Sequence, residues 1–233
     1  MLSAAKHLWG STRAFLRFLA FVYALFLLAA PGVTAQPKKQ PKAPTAPTQP
    51  EEQYQLGRKY EEGDGVAANP AEALKWYRKA AEQGHAAAQD HMGLAYEDGS
   101  GVPRDINEAL QWYRKAAEQG YAPSQNNLGF LYFTGRHFAK DEKQAESWFR
   151  KAAEQGHATA QCYLGMMFSG QSALPLDPVE AYMWLFLSNE QGYGVAGIHL
   201  ETLARRMTAA QISEAKKRAQ EWLNRKKPGG ETQ

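Results

Sequence analysis

One string of nine residues, WYRKAAEQG, occupies positions 76–84 and recurs letter for letter at 112–120; it returns as WFRKAAEQG at 148–156. Each copy begins 36 residues after the last. A fixed period of this length marks a stacked repeat, in which no unit buries its apolar face alone and neighbours supply the missing half of each core. The register holds without a gap over 53–88, 89–124, 125–160 and 161–196. Leu56, Met92, Leu128 and Leu164 coincide, as do Gly57, Gly93, Gly129 and Gly165. Ala73, Ala109, Ala145 and Ala181 share a place, and so do Trp76, Trp112, Trp148 and Trp184.

Each unit reads as two helices. The second opens at Asn69, Asp105, Asp141 or Asp177, with Glu72, Glu108, Gln144 or Glu180 three residues on. That spacing predicts a capping box, the cap side chain accepting from the first free N–H groups and the later side chain reaching back. Pro70 and Pro178 stand at the first helical position, where no N–H is needed. The helix should stop at Gly84, Gly120, Gly156 or Gly192, residues free to take the left-handed conformation. Between these signals Ala73, Trp76, Tyr77, Ala80 and Ala81 fall on one face. The first helix of the second unit should run from about residue 87 to 97. Its Gly93 costs about 1 kcal/mol against alanine, a cost accepted in all four units, which predicts close helix–helix approach there.

The stretch LGRKYEEGDGVAANPAEALKWYRKAAEQGHAAA resembles the Sel1-like repeat, a relative of the tetratricopeptide repeat, and the resemblance covers residues 53–196. It implies an all-α fold: a right-handed solenoid of helix-turn-helix repeats that binds partners. The fourth unit departs from the pattern. Gln171 stands where the first three units have a loop glycine, Gly170 precedes it, and the helix after it is more apolar. Residues 197–226 read as a C-terminal capping pair. Leu200 and Ala204 continue the repeat register, and TAAQ at 208–211 is a further capping box ahead of the stripe Ile212, Ala215, Ala219 and Trp222. Residues 227–233 read as a disordered tail.

Residues 1–35 belong to no repeat. Lys6, Arg13 and Arg17 precede an apolar run at 18–30, and PGVTA follows with Val33 and Ala35 at small-residue positions. This is the layout of a secretory signal peptide. The apolar core is shorter than the roughly 20 residues of a membrane span; an uncleaved inner-membrane anchor is the alternative. Residues 36–50 hold five prolines and read as an extended, disordered linker. The expected location is therefore periplasmic or secreted, with membrane contact only if the N-terminal segment stays attached.

The chain has 27 Lys and Arg against 24 Asp and Glu, and three of the basic residues but none of the acidic ones lie in 1–35. The remainder is balanced, which argues against a nucleic-acid partner. The pairs Arg78-Lys79, Arg114-Lys115 and Arg150-Lys151 read as a solvated face compensated by Glu82, Glu118 and Glu154 one turn on.

No cofactor and no metal site is expected. His85 and His157 share a position with Tyr121 and Tyr193, which fits packing or capping rather than ligation; His91, His137 and His199 have no partner at ligand spacing. Cys162 is alone, so no intramolecular disulfide is available. S-x-x-K at Ser213–Lys216 and S-x-N at Ser124–Asn126 mimic a penicillin-interacting serine enzyme, but K-T-G is absent. The cysteine-rich relatives described as β-lactam-interacting staple each repeat with a cysteine pair, which this chain lacks. No catalytic residue is assigned, and a β-lactam-interacting hydrolase remains the enzymatic alternative.

In the related tetratricopeptide solenoids the first helices line a concave groove. The corresponding stripe here is Tyr54, Arg58 and Glu61, then Asp90, Leu94 and Glu97, then Asn126, Phe130 and Phe133, then Cys162, Met166 and Ser169. The candidate groove residues are Tyr54, Arg58, Asp90, Leu94, Asn126, Phe130, Phe133 and Met166. Apolar anchors beside polar groups suit a peptide or a partner helix. The opposing possibility is that the capping helices bury the Phe130, Phe133 and Met166 patch. The expected function is an exported protein-interaction module of the bacterial cell envelope.

Overall fold

The computed structural model describes residues 47–226 apart from 138. The signal-peptide and disordered-tail readings lie outside the described residues, as does most of the linker. Among the described residues all regular structure is helical. The four units give the pairs α1 (Pro50–Glu62) and α2 (Pro70–Glu82), α3 (Ala86–Asp98) and α4 (Ile106–Glu118), α5 (Ala122–Thr134) and α6 (Glu142–Glu154), and α7 (Ala158–Met166) and α8 (Pro178–Glu190). Two further helices follow, α9 (Gly194–Ala204) and α10 (Ala209–Lys226). Each first helix, here A, packs on its own second helix, B, and on the B helix before it. The array is an all-α solenoid, as the repeat register predicts. No helix among the described residues is long and apolar enough to cross a membrane.

Most letters of the repeated string have a physical task. In the second unit Tyr113 is fully buried and its hydroxyl donates to Glu97 on the A helix at 2.8 Å. Ala116 and Ala117 are buried, and their carbonyls accept from Tyr121 N at 3.1 Å and Gly120 N at 3.0 Å, the paired bonds of a Schellman stop. Gly120 supplies the required left-handed residue at φ 89°. Its counterparts Gly84, Gly156 and Gly192 lie at φ 93°, 97° and 83°. The aromatic beneath the A-helix glycine explains that second conserved place: a Cβ on Gly93 would meet the Tyr113 ring at 2.5 Å, and one on Gly129 would meet Phe149 at 2.6 Å.

The glutamine of EQG has a role that periodicity alone does not reveal. Gln119 Nε2 donates to Gln89 Oε1 at 2.7 Å, and Gln89 Nε2 donates to the Ala81 carbonyl of the preceding unit at 3.1 Å. The pattern repeats through Gln155 to Gln125 and through Gln191 to Gln161, each at 2.7 Å. An amide both donates and accepts, so one side chain per unit ties a B-helix C-terminus to an A helix and to the next glutamine. The ladder starts at Gln53, which has no unit before it and donates instead to the Pro47 carbonyl at 3.1 Å.

Two local expectations need correction. At the B-helix N-termini only half of each capping box forms. Asn69, Asp105, Asp141 and Asp177 accept from N–H groups of the first turn at 2.9–3.2 Å. Their own N–H groups instead donate across the loop to the carbonyls of Tyr60, Tyr96, Tyr132 and Phe168. With that donor already satisfied, the residue three places on is released; Glu72 pairs with Lys75 and Glu180 with Arg150. Among the described residues a reciprocal box forms at Thr208 and Gln211 alone, with backbone-to-side-chain bonds of 2.9 and 3.2 Å.

The second correction concerns the Arg-Lys pairs. Among the described residues none of them meets Glu82, Glu118 or Glu154. Arg78 and Arg114 instead reach the next unit, donating to the hydroxyls of Tyr96 at 3.2 Å and Tyr132 at 3.1 Å. Lys79, Lys115 and Lys151 turn back over Trp76, Trp112 and Trp148, at 4.1, 4.2 and 4.0 Å from the ring centroids. A tryptophan one turn back offers each ammonium a π-face, while the arginine is drawn to a neighbour-unit hydroxyl that sequence distance hides.

The fourth unit keeps the architecture by distorting its loop. The left-handed residue is Gly170 at φ 91°, one place earlier than Gly63, Gly99 and Gly135, and a π-helical turn (Met167–Gln171) extends α7. The capping pair divides its work. α9 packs on α8 as any A helix packs on the preceding B helix, but α10 also packs on α8 instead of pairing with α9. Trp222 of α10 meets Trp184 edge-on at 6.1 Å. The sequence carries the sign of this break: the glycine place of the four units is Glu201 in α9, exposed and paired with Arg205 at 2.7 Å.

Candidate partner-binding face

The predicted groove stripe resolves into rows of different exposure. The row Tyr54, Asp90, Asn126 and Cys162 turns partly inward. Asp90 is 7% exposed and accepts from Ser124 at 2.6 Å and Asn127 at 3.1 Å, both on the next A helix; Cys162 is 2% exposed. The row Glu61, Glu97, Phe133 and Ser169 faces the B helix of its own unit. Glu61 accepts from Tyr77 and Glu97 from Tyr113, while Phe133 packs on Phe149. The row left open is Arg58, Leu94, Phe130 and Met166. Arg58 and Leu94 are exposed, and Phe130 and Met166 half-buried.

Beside that open row runs a second one that the sequence reading passed over: Gln55, His91, Asn127 and Tyr163. Its signal was the same 36-residue offset. The open A-helix face is therefore rotated by about one residue from the predicted stripe, because the B-helix aromatics Tyr77, Tyr113 and Phe149 claim the 61, 97 and 133 places.

Phe130, Phe133 and Met166, offered as groove residues by the sequence, also have core roles. All three pack against the buried cluster of the third and fourth units. Phe133 lies 6.3 Å from Phe149 and 6.0 Å from Tyr163, whose ring stacks on Phe149 at 5.0 Å. Phe130 lies 5.7 Å from Tyr163 and has the Arg136 guanidinium 6.0 Å from its centroid. Both capping helices dock on α8, and α9 also touches α7. Phe130 and Phe133 are half-buried by Phe149 of α6 and Tyr163 of α7.

At the other end of the face, Tyr54 stacks on His85 at 4.5 Å and Tyr77 on His91 at 4.3 Å. His85 Nδ1 accepts from Ala88 N at 3.2 Å and His157 Nδ1 from Ala160 N at 3.3 Å, so both cap A helices. A cleft of about 560 Å³ opens here, with Glu61, Tyr77, His91, Leu94 and Asp98 among its walls. It is apolar over Leu74 and Ala95. A wall of this kind accepts an apolar side chain and offers carboxylates at the rim.

Burial sets the electrostatics. It raises the Asp90 carboxyl above its usual range, an effect that the bonds from Ser124 and Asn127 only partly oppose. Burial also pushes the Cys162 thiol up to about 11, so it stays protonated and unreactive at neutral pH. Asn126 Oδ1 is buried without a hydrogen-bond partner. The two serines that mimic an enzyme motif do not form one: Ser124 is fully buried and donates to Asp90, and Ser213 stands exposed on α10. Among the described residues no group of three or more His, Cys, Asp or Glu side chains is placed to hold a metal.

A family model described as the Sel1 repeat matches residues 53–85, 86–121, 122–157 and 158–193. Among solved structures the chain is similar to a Sel1 repeat protein from Oxalobacter formigenes, at 39% identity and a TM-score of 0.61, covering 68% of this chain and 65% of that one. It is also similar to c5321, a protective antigen present in uropathogenic Escherichia coli strains that displays an SLR fold. There the identity is 36% and the TM-score 0.64, over 76% of this chain and 38% of that one. The chain thus spans less than two thirds of the length of either relative. A comparison with curated proteins gives no match.

Proposed function

The chain belongs to the Sel1 repeat family, and from that premise we propose that it is an exported scaffold whose A-helix face holds a protein or peptide partner in the bacterial cell envelope. Sel1 repeat proteins generally serve as protein-interaction scaffolds, and their fold is typically a non-catalytic interaction module. The observation that carries the assignment of the face is the open row Arg58, Leu94, Phe130 and Met166. It grades from a charged end beside a cleft to an aromatic end, on helices tied together by the glutamine ladder. Leu94, 39% exposed over the cleft, has no burial role to account for it. Support for export comes from the layout of residues 1–35: basic residues, a short apolar run, then VTA.

A photo-crosslinking amino acid at Leu94 tests the reading in cells. The expected result is a discrete adduct with an envelope protein, absent when the same group replaces exposed Glu118 on the B-helix side. Equal labelling from both positions would sink the assignment of the face. Recovery of an intact Met1 end from the membrane would replace the exported form with the anchored one.

A further inference from the structure

The cleft of about 560 Å³ that opens between the first two units carries carboxylates but no lysine or arginine among its lining residues. Its two acids come from different helices, Glu61 near the end of α1 and Asp98 at the end of α3. Glu61 accepts from the Tyr77 hydroxyl through Oε2 alone, which leaves Oε1 open. Asp98 is exposed and makes no hydrogen bond or ion pair among the described residues. Arg58, a cation on the same face, is held in an ion pair by Glu62. The surface between the two carboxylates is apolar, built from Leu74, Leu94 and Ala95.

The repeat register shows that this arrangement is particular to the first interface. One interface on, the places of Leu94, Asp98 and Ser100 hold Phe130, Thr134 and Arg136. There a larger side chain takes up the space, the second carboxylate is gone, and a guanidinium stands 6.0 Å from the Phe130 centroid. At the next interface Phe133 and Gly170 occupy the places of Glu61 and Asp98, so neither carboxylate is present. Joining two units therefore does not require an acid at the Asp98 place.

An apolar floor between two carboxylates selects among the side chains of a partner. An acidic side chain is repelled by both acids. An aliphatic one covers the floor and leaves the carboxylates without a counter-charge. A long basic side chain answers both parts, because its methylene stem lies on apolar surface while its head stays at the polar rim. Arginine suits the place better than lysine: its planar head presents several N–H donors in a fixed fork and serves two acceptors at once.

We propose, resting on the assignment of the A-helix face above, that the partner inserts an arginine side chain into this cleft, with its stem on Leu74 and Leu94 and its guanidinium at Glu61 and Asp98. N-acetyl-arginine amide and N-acetyl-citrulline amide test this, because their side chains match in length and differ in charge. Each is titrated into the full chain and followed through backbone amide NMR signals. The arginine compound should shift the signals of residues 94–101 and saturate, and the citrulline compound should bind about fivefold more weakly, the scale of an exposed ion pair. The double variant Glu61→Gln with Asp98→Asn should lose that preference without a change in melting temperature. Both side chains are exposed, and Glu61→Gln keeps an acceptor for Tyr77. Equal binding of the two compounds overturns the proposal. So does the absence of a saturable shift at the cleft, and so does a preference that survives the double variant. The Leu94 crosslink registers a partner of any charge, so an adduct there without an arginine preference removes this inference and keeps the face.

Discussion

The Tyr113 hydroxyl donates to the Glu97 carboxylate at 2.8 Å, and one repeat later the same two places hold Phe149 and Phe133, whose rings meet edge-on at 6.3 Å. A polar pair has been exchanged whole for an apolar pair. Either pair satisfies itself, and a mixture does not. Phe133→Glu alone should therefore destabilise the fold by about 1–3 kcal/mol, by placing a carboxylate against the Phe149 ring, which offers it no donor, with only the Lys140 ammonium near enough to offset part of the cost. Adding Phe149→Tyr should recover about 1–2 kcal/mol as coupling between neighbours. A urea-melt double-mutant cycle with no coupling would contradict the exchange.

Gly93→Ala improves helix propensity by about 1 kcal/mol yet should lower stability by about 1–3 kcal/mol. The added Cβ would fall 2.5 Å from the Tyr113 ring, which is fully buried and cannot retreat. Glu118→Ala on the exposed surface should stay within about 0.5 kcal/mol. A Gly93→Ala variant as stable as the parent in thermal melts would refute the contact.

Gln89→Met keeps volume but deletes an acceptor for Gln119 and a donor to Ala81. The cost should be about 1–3 kcal/mol, the scale of one or two buried hydrogen bonds. Gln119→Ala should cost less, because its amide is exposed and water replaces the lost bond. Chemical denaturation of both variants decides the order; the reverse ranking would remove the ladder as a stabilising element.

Asp90 gives the fold a pH dependence of definite sign. Burial raises its folded-state pKa, so the folded chain holds this proton more tightly than the unfolded chain. Raising the pH from the unfolded carboxylate value through the folded one then lowers stability. Asp90→Asn keeps an acceptor for Ser124 and Asn127 without the buried charge. It should melt higher than the parent at pH 7, by a margin that shrinks as the pH falls toward about 4. A constant margin across that range would exclude Asp90 as the source.

Leu94→Ala and Phe130→Ala separate binding from architecture. Leu94 is largely solvent-exposed, so its loss should change stability by no more than about 0.5 kcal/mol. Phe130 packs against Tyr163 and should cost about half of the roughly 3–5 kcal/mol of a fully buried phenylalanine. Both should weaken partner capture, Leu94→Ala without a change in melting temperature. Unchanged capture by both variants would move the partner to another surface.

The repeat units, their helix stops and the A-helix glycines were legible because each depends on residues close in sequence or at a fixed 36-residue offset. The register also held the fifth A helix and its missing partner, through Glu201 in a glycine place. The open face of the A helices was legible only to within one residue of rotation. Choosing among Glu61, Arg58 and Gln55 for the outward side requires knowing which place the B-helix tyrosine claims.

The sequence by itself determined an all-α repeat array, because caps, left-handed glycines and apolar spacing act within one or two helical turns. Tertiary structure alone decided where the long polar side chains go. Arg78 reaches Tyr96 rather than Glu82, and the N–H of Asn69 takes the Tyr60 carbonyl rather than Glu72. It also decided that Phe133 serves the core and that Ile198 meets solvent. The physical reason is the same in each case. A side chain of several rotatable bonds can satisfy several neighbours at similar local cost, and only the packed helices around it fix which partner is within reach.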